Sequence, residues 1–478
     1  MQARSALSAT TSGSRPVDGT AVKRAAATAA SIVDDVIARG WPVDEVLGSE
    51  AELLERYGVS RAVFREAVRL VEHQQVARMR RGPGGGLVVT EPKVDAIIDA
   101  AVVYLHRVDA TLDEVFDARL LLEEIVCDLA AERLDEGDLT RIRHLIAAEE
   151  AGEVVDHRAM HALLASATRN PALELFVDIL NRVSTLYFHD RKALETTTVV
   201  ESRHAHARIA EAVVAGDGAV ARRRMRKHLE AEAEYLRRRR TVRELLPTTV
   251  LGAAATNKRA EAVARDLLQR IVAAKMPPGE LLGSEAGLME QYGASRAVLR
   301  EAVRLLEHHR IAVMRRGPGG GLFVATPDIG AVTDVVALHL ARRGMQVGEL
   351  AELRTRLEPS LIDLAVGRLD DESAARIEAA LEREQQVSDD EYLQCAHDLH
   401  AVLASVAGNK ALELVAHVVI RLTRLHQVTQ LSPQTRARIG EELRRSHGGI
   451  ARAVVERDGE LARHRLRSHL RAVANLIA

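Results

Sequence analysis

Cysteine is nearly absent from this chain: two residues, Cys127 and Cys395, stand far apart in helical patterns with no CxxC spacing. A disulfide framework or a thiolate zinc site is therefore excluded, and a reducing cytoplasm is the expected compartment. Aromatic residues make up only 3 %, and with Ala, Leu, Arg and Glu abundant this predicts a mainly α protein rather than a sheet-rich one. Net charge is also scarce, at −2, so the chain as a whole has no attraction for a polyanion, and any nucleic-acid surface must be a local patch. No apolar run is long enough to span a bilayer, and the N-terminus lacks the compact apolar stretch of a secretory signal, so no membrane partner is expected.

What is present is a repeat. Leu47 to Val89 recurs as Leu282 to Val324, ungapped, with 32 of 43 residues identical. At 478 residues the chain is too long for one core, and the repeat divides it. The expected layout is a disordered tail (1–20), a first winged helix-turn-helix (21–92), a first helical effector-binding domain (93–240), a linker (241–255), a second winged helix-turn-helix (256–327) and a second helical domain (328–478).

Each repeated segment reads in the same order. An Ala-rich helix ends at Trp41-Pro42, because a residue before proline is pushed out of the α region. Ser49 and Glu52 form a capping box for a short helix, whereas in the second copy Ser284 keeps the cap and Gly287 removes the glutamate. Gly58 makes a turn and Ser60 caps a second helix. On it Phe64, Ala67, Val68 and Val71 form a buried stripe, while Arg61, Arg65 and Arg69 recur every four residues as another. In copy two Arg296, Arg300 and Arg304 match them. Short strand-like runs then flank a Gly-rich tip that opens with Arg81-Gly82 in the first copy and Arg316-Gly317 in the second. A helix that enters the major groove needs one face anchored in its own domain and another carrying long cationic donors, since phosphates supply affinity and guanine accepts a bidentate arginine. An isolated arginine stripe is more often a solvated helix face, but here cap, turn, buried stripe and basic hairpin occur in order, twice. A phosphate-cradling loop is disfavoured because the glycines lead into a strand rather than into a helix.

The helical halves carry mirrored histidines. His206 and His228 each stand eleven residues from Asp217, and His447 and His469 each stand eleven from Asp458, so antiparallel helices that turn at these aspartates bring each pair to one height. His161 and His400 precede the similar runs Asn170-Pro-Ala-Leu-Glu-Leu and Asn409-Lys-Ala-Leu-Glu-Leu. Three converging imidazoles suit zinc or a similar divalent transition metal. The alternative is polar bundle histidines paired with backbone or acids.

Together, LGSEAELLERYGVSRAVFREAVRLVE, the Gly-rich hairpin and the helical bundle after it resemble the GntR family of bacterial transcription regulators, FadR type, with an FCD effector domain. The resemblance implies DNA contacts at Arg61, Arg65, Arg81 and Gly82, and at Arg296, Arg300, Arg316 and Gly317, with Arg69 and Arg304 further back. It departs at Ala51 and Ala286, where the family usually has arginine. FCD domains often add an aspartate to three histidines, four residues before the first. That place holds His157 in copy one, beside Asp156, and Ala396 in copy two. The implied metal set is thus His157, His161, His206 and His228, then His400, His447 and His469, with the second poorer in donors. Arg119 and Arg354 occupy the positions where the family faces a carboxylate effector, although an ion pair with Glu123 or Glu358 one turn on is the plain alternative.

The function expected is a sequence-specific DNA-binding transcription regulator, a repressor released by a small organic acid. It is expected to act as a monomeric pseudo-dimer with both heads on one operator, or else as a homodimer. A metal-dependent enzyme with incidental basic patches is the alternative, weakened by the lack of an HExxH-type glutamate. A binder indifferent to sequence is a third.

Overall fold

The computed structural model describes residues 19–80, 82, 84–153, 155–185, 196–238, 258–315, 317–388, 392, 397–427 and 433–477. Arg81, Arg316, Cys395, Ala396, the linker 241–255 and the tail as far as residue 18 lie outside them. The described residues form twenty helices and two three-stranded sheets, the mainly α architecture that the composition predicts. Contacts divide the chain into two compact units, Met1–Pro92 and Lys93–Ala478.

The first unit is a winged helix-turn-helix. Helix α1 (Gly19–Ala38) packs on α3 (Arg61–His73), with the short α2 (Glu50–Tyr57) between them in sequence. Ser49 caps α2 with the full capping box, Glu52 returning to the Ser49 amide at 2.7 Å. Gly58 closes α2 in the left-handed conformation, and the Ser60 hydroxyl accepts from the Val63 amide to start α3. The wing pairs β2 (Ala77–Arg80) with β3 (Gly86–Val89), and β1 (Val46–Gly48) adds a third strand beyond the two read from the sequence. Its few alternating residues gave no strand pattern. Gly86 is where β1 crosses close: a Cβ there would stand 2.5 Å from the Gly48 carbonyl oxygen. The Trp41 indole is buried and donates to the Thr90 carbonyl at 2.9 Å, which ties the end of α1 to the end of the wing.

The second unit begins with a bundle: α4 (Val94–Arg107), α5 (Leu112–Arg133), α6 (Glu136–Glu150), α7 (Ala159–Ala167), α8 (Pro171–Thr185), α9 (Thr196–Val214) and α10 (Gly218–Arg238). The second head comes next, with α11 (Lys258–Ala273), α12 (Glu285–Gln291), α13 (Arg296–His308) and strands β4 (Leu281–Gly283), β5 (Ala312–Arg315) and β6 (Gly321–Val324), paired in the same order as the first wing. The second bundle runs α14 (Ile329–Arg342), α15 (Val347–Arg368), α16 (Asp371–Gln386), α17 (Asp398–Val406), α18 (Lys410–Gln427), α19 (Pro433–Val455) and α20 (Gly459–Ile477).

The two bundles meet reciprocally. Asn170 Nδ2 donates to the Glu349 carbonyl at 3.0 Å, and its counterpart Asn409 donates to the Glu114 carbonyl at 3.0 Å. Helices α4 and α14 pack together, and one apolar core runs from Ile97 through the second head to Leu422. A separate core, from Ile362 to Leu470, fills the far end of the second bundle. The second head is clamped by the first bundle: Arg107 donates to the carbonyls of Arg310 at 2.6 Å and Ala325 at 2.5 Å.

Candidate nucleic-acid interface and metal centres

Helix α3 divides as its spacing predicts. Phe64, Ala67, Val68 and Val71 are buried against their own unit, while Arg61, Arg65 and Arg69 present 69 %, 68 % and 75 % of their side chains to solvent. The second head repeats this with Leu299, Ala302, Val303 and Leu306 inside and Arg296, Arg300 and Arg304 outside. Gly82 and Gly317 stand at the wing tips with φ near +100°, a conformation that suits glycine. Arg81 and Arg316, beside them, lie outside the described residues.

One residue of each interface escaped the sequence reading. Glu50, first in α2, sends Oε1 to within 3.2 Å of Arg61 Nε and 3.6 Å of Arg65 Nε. Glu285 does the same for Arg296 and Arg300, at 3.3 and 3.7 Å. Both carboxylates partly neutralise the arginines and fix where they point. The signal was available: each is the first helical residue after a serine cap, in a motif whose second helix packs across the first.

In the bundles, His161 (α7), His206 (α9) and His228 (α10) form one buried group, and His400 (α17), His447 (α19) and His469 (α20) form another. Within each group one ring nitrogen or other donor atom per residue lies within 4.8 Å of the rest. The turns at Asp217 and Asp458 bring the ring centres of His206 and His228 to 4.9 Å, and those of His447 and His469 to 4.7 Å. His157 is outside the first group. Its side chain is 37 % exposed and its Nδ1 lies 3.4 Å from Asp156, while burial pushes its pKa down to about 4. Ala396 lies outside the described residues.

Buried glutamates orient the histidines. Glu123 Oε2 holds His161 Nδ1 and Glu149 holds His206 Nδ1 at 3.0 Å; in the second bundle Glu358 holds His400 Nδ1 and Glu384 holds His447 Nδ1, both at 2.8 Å. With Nδ1 so engaged, the Nε2 atoms face inward, and those of His206 and His400 are buried without a hydrogen-bond partner. His447 Nε2 lies 3.4 Å from His469 Nε2. Two nitrogens on one tetrahedral zinc stand about 3.4 Å apart, so the donor set and its spacing fit such an ion. A carboxylate behind a ligating imidazole is also the usual support of a metal site. Burial, with the neighbouring histidines, holds the His228 and His469 rings well below their ordinary pKa and keeps them neutral. Neutral imidazole is the form that ligates. Burial opposes ionisation of Glu123, yet His161 and Arg119 overcome it and draw the carboxyl down to about 2.

Arg119 and Arg354 lie deep beside these groups, with 1 % and 5 % of their side chains exposed. Each pairs with the glutamate one turn on, Arg119 with Glu123 at 2.9 Å and Arg354 with Glu358 at 2.5 Å. The ion pair of the plain reading exists, but it is buried against the histidines rather than on a helix surface.

Comparison with known proteins matches both helical bundles and the second head to family profiles. The profile of the "FCD domain" matches residues 114–231 and 349–472, and that of the "Bacterial regulatory proteins, gntR family" matches 259–324. The HTH-type transcriptional regulator LutR of Bacillus subtilis is 32 % identical over 197 residues, covering 38 % of this chain and 87 % of that protein. The uncharacterized HTH-type transcriptional regulator YcbG of the same organism is 26 % identical over 219 residues, covering 45 % of this chain and 90 % of its own length. A solved structure described as Streptococcus agalactiae GntR is 22 % identical, with a TM-score of 0.38, over 45 % of this chain and 99 % of that one.

Proposed function

This chain belongs to the gntR family of bacterial regulatory proteins with FCD domains, a DNA-binding transcription regulator by descent, and we propose that it reads one operator with both of its heads as a covalent pseudo-dimer. The reciprocal pairing of Asn170 with Glu349 and of Asn409 with Glu114 carries this reading. Such exchanged contacts are what two identical chains make across a twofold axis, and here one chain makes them with itself. In ordinary twofold arrangements the half-sites stand about one helical turn apart. Arg61, Arg65, Arg296 and Arg300 contact base edges or nearby phosphates. Arg69, Arg304, Arg81 and Arg316 add phosphate contacts, and Gly82 and Gly317 let the wing tips approach the groove.

Each histidine group holds a divalent transition ion, zinc or a close relative, and a small organic acid docking beside Arg119 or Arg354 shifts the heads and releases repression. The buried glutamate support of His161, His206, His400 and His447 favours the ion over idle core histidines. Footprinting on an operator selected from genomic fragments tests the assignment. Protection of one dimer-length site by a single chain supports it, and binding that ignores sequence overturns it. No helix among the described residues is long and apolar enough to cross a membrane.

A further inference from the structure

The surroundings of Arg119 and of Arg354 are built from aligned residues but are not charged alike. In the first, Arg119 Nη1 is 3.2 Å from Glu232 Oε2 and 3.3 Å from the Ser184 hydroxyl, in addition to the Glu123 pair through Nε. Glu232 stands one turn beyond His228 on α10, with 12 % of its side chain exposed. The residue one turn beyond His469 on α20 is Val473, which is also buried. Among the described residues Arg354 keeps only Glu358 as an acidic partner, whereas Arg119 has both Glu123 and Glu232; Nη2 of each arginine is buried without a hydrogen-bond partner. The first pocket thus sets one arginine against three buried or nearly buried glutamates, Glu123, Glu149 and Glu232. Among the described residues the second sets one arginine against two, Glu358 and Glu384.

We propose that the second bundle alone takes the anionic effector, because Glu232 supplies to Arg119 an internal carboxylate in the place that an effector carboxylate would occupy beside Arg354. The inference rests on the effector reading above and narrows it to one site per chain. A carboxylate entering the first pocket would have to displace Glu232 from Arg119 or sit beside it, charge against charge, where little water screens the pair. In the second pocket Val473 stands at the position of Glu232, so no second carboxylate competes for the guanidinium, and a planar carboxylate matches its donor geometry. A divalent ion bound to each histidine group would leave the second pocket one positive charge richer than the first. The duplication has by this account divided the labour: one half keeps a permanently satisfied pocket, and the other senses.

Calorimetric titration of the full chain, zinc-loaded and metal-free, with a panel of simple carboxylic acids, acetate and succinate among them, tests this. The wild type is expected to bind one equivalent. Arg354→Ala should abolish that equivalent and Arg119→Ala should leave it. Glu232→Val should bring the count to two and Val473→Glu to none. Glu232→Gln, which keeps the shape and drops the charge, should also open the first pocket and guards against misfolding of the valine variant. Two equivalents in the wild type, or one that is lost with Arg119 and kept without Arg354, overturns the asymmetry while leaving the effector reading intact. No carboxylate bound by any variant overturns both.

Discussion

Replacing Glu50 and Glu285 by glutamine removes one negative charge from each reading head while keeping the side-chain shape. Each carboxylate stands 3.2 to 3.7 Å from two guanidinium nitrogens. At that distance the attraction in bulk water is about 1 kcal/mol per pair. The arginines are some two-thirds exposed, so solvent screening reduces the net worth to the lower part of the ~0–1 kcal/mol range. Folding stability should therefore fall by less than about 1 kcal/mol per head. DNA affinity should respond more. Each head loses a charge that repels phosphate and regains arginines no longer partly neutralised, so the slope of log K against log salt should steepen by about 0.9 per added effective charge. Non-specific affinity at low salt should rise roughly tenfold for the double substitution, the equivalent of about 1.4 kcal/mol. Specific affinity should rise less, because the glutamates also pin the arginines before contact and that ordering must then be supplied on binding. Fluorescence anisotropy with operator and scrambled duplexes over a salt series reads all three quantities. An unchanged salt slope, or a fall in non-specific affinity, would refute the reasoning.

The second unit yields three further outcomes. His161→Ala combined with His206→Ala should lower bound metal from two ions per chain to one by elemental analysis, and chelation should lower the melting temperature of the wild type; two ions retained by the double variant would count against the first centre. Asp99 is buried, and burial raises its pKa to about 7, against partial relief from Arg182. Asp95 draws Arg182 to itself at 2.7 Å and leaves Asp99 at 4.0 Å, whereas in the second bundle, with Gly330 in place of Asp95, Arg421 reaches Asp334 at 2.7 Å. Since the folded pKa lies above the unfolded one, the group stabilises at low pH and loses that contribution as pH rises through about 7. Asp99→Asn should accordingly be more stable than wild type at pH 8, by about 1–3 kcal/mol, and nearly equal to it at pH 4, as denaturant titration at the two values would read. Arg107→Ala leaves two carbonyls of the second head without their clamp and should cost about 1.5–3 kcal/mol; hydrogen exchange should quicken across residues 258–325, and unchanged protection there would contradict the clamp.

Much of this was legible in the chain because its signals are local. Ser49, Gly58 and Ser60 mark helix ends by their own backbone preferences, and the recurrence of arginine every fourth residue (Arg61, Arg65, Arg69) beside the Phe64 stripe assigns the outer face of α3 without reference to anything distant. Equal spacing about Asp217 and Asp458 predicts the pairing of His206 with His228 and of His447 with His469, because a helical hairpin converts sequence distance directly into height. Glu149 and Glu384 had no such signal: each lies more than fifty residues from the histidine it supports, and only packing brings them together. Glu232 was silent for the same reason, since its partner Arg119 is 113 residues away. The strand β1 was too short to show alternation and is held by pairing with β3 at Leu87 and Val88, a contact that exists only in three dimensions.

The claim on which the rest depends is that one chain supplies both heads to one operator. Light scattering on the protein bound to a duplex that carries both half-sites measures this directly. The account predicts the mass of the duplex plus a single chain of 52.2 kDa, with protection spanning both half-sites; a complex of two chains, with four heads on the site, would contradict it.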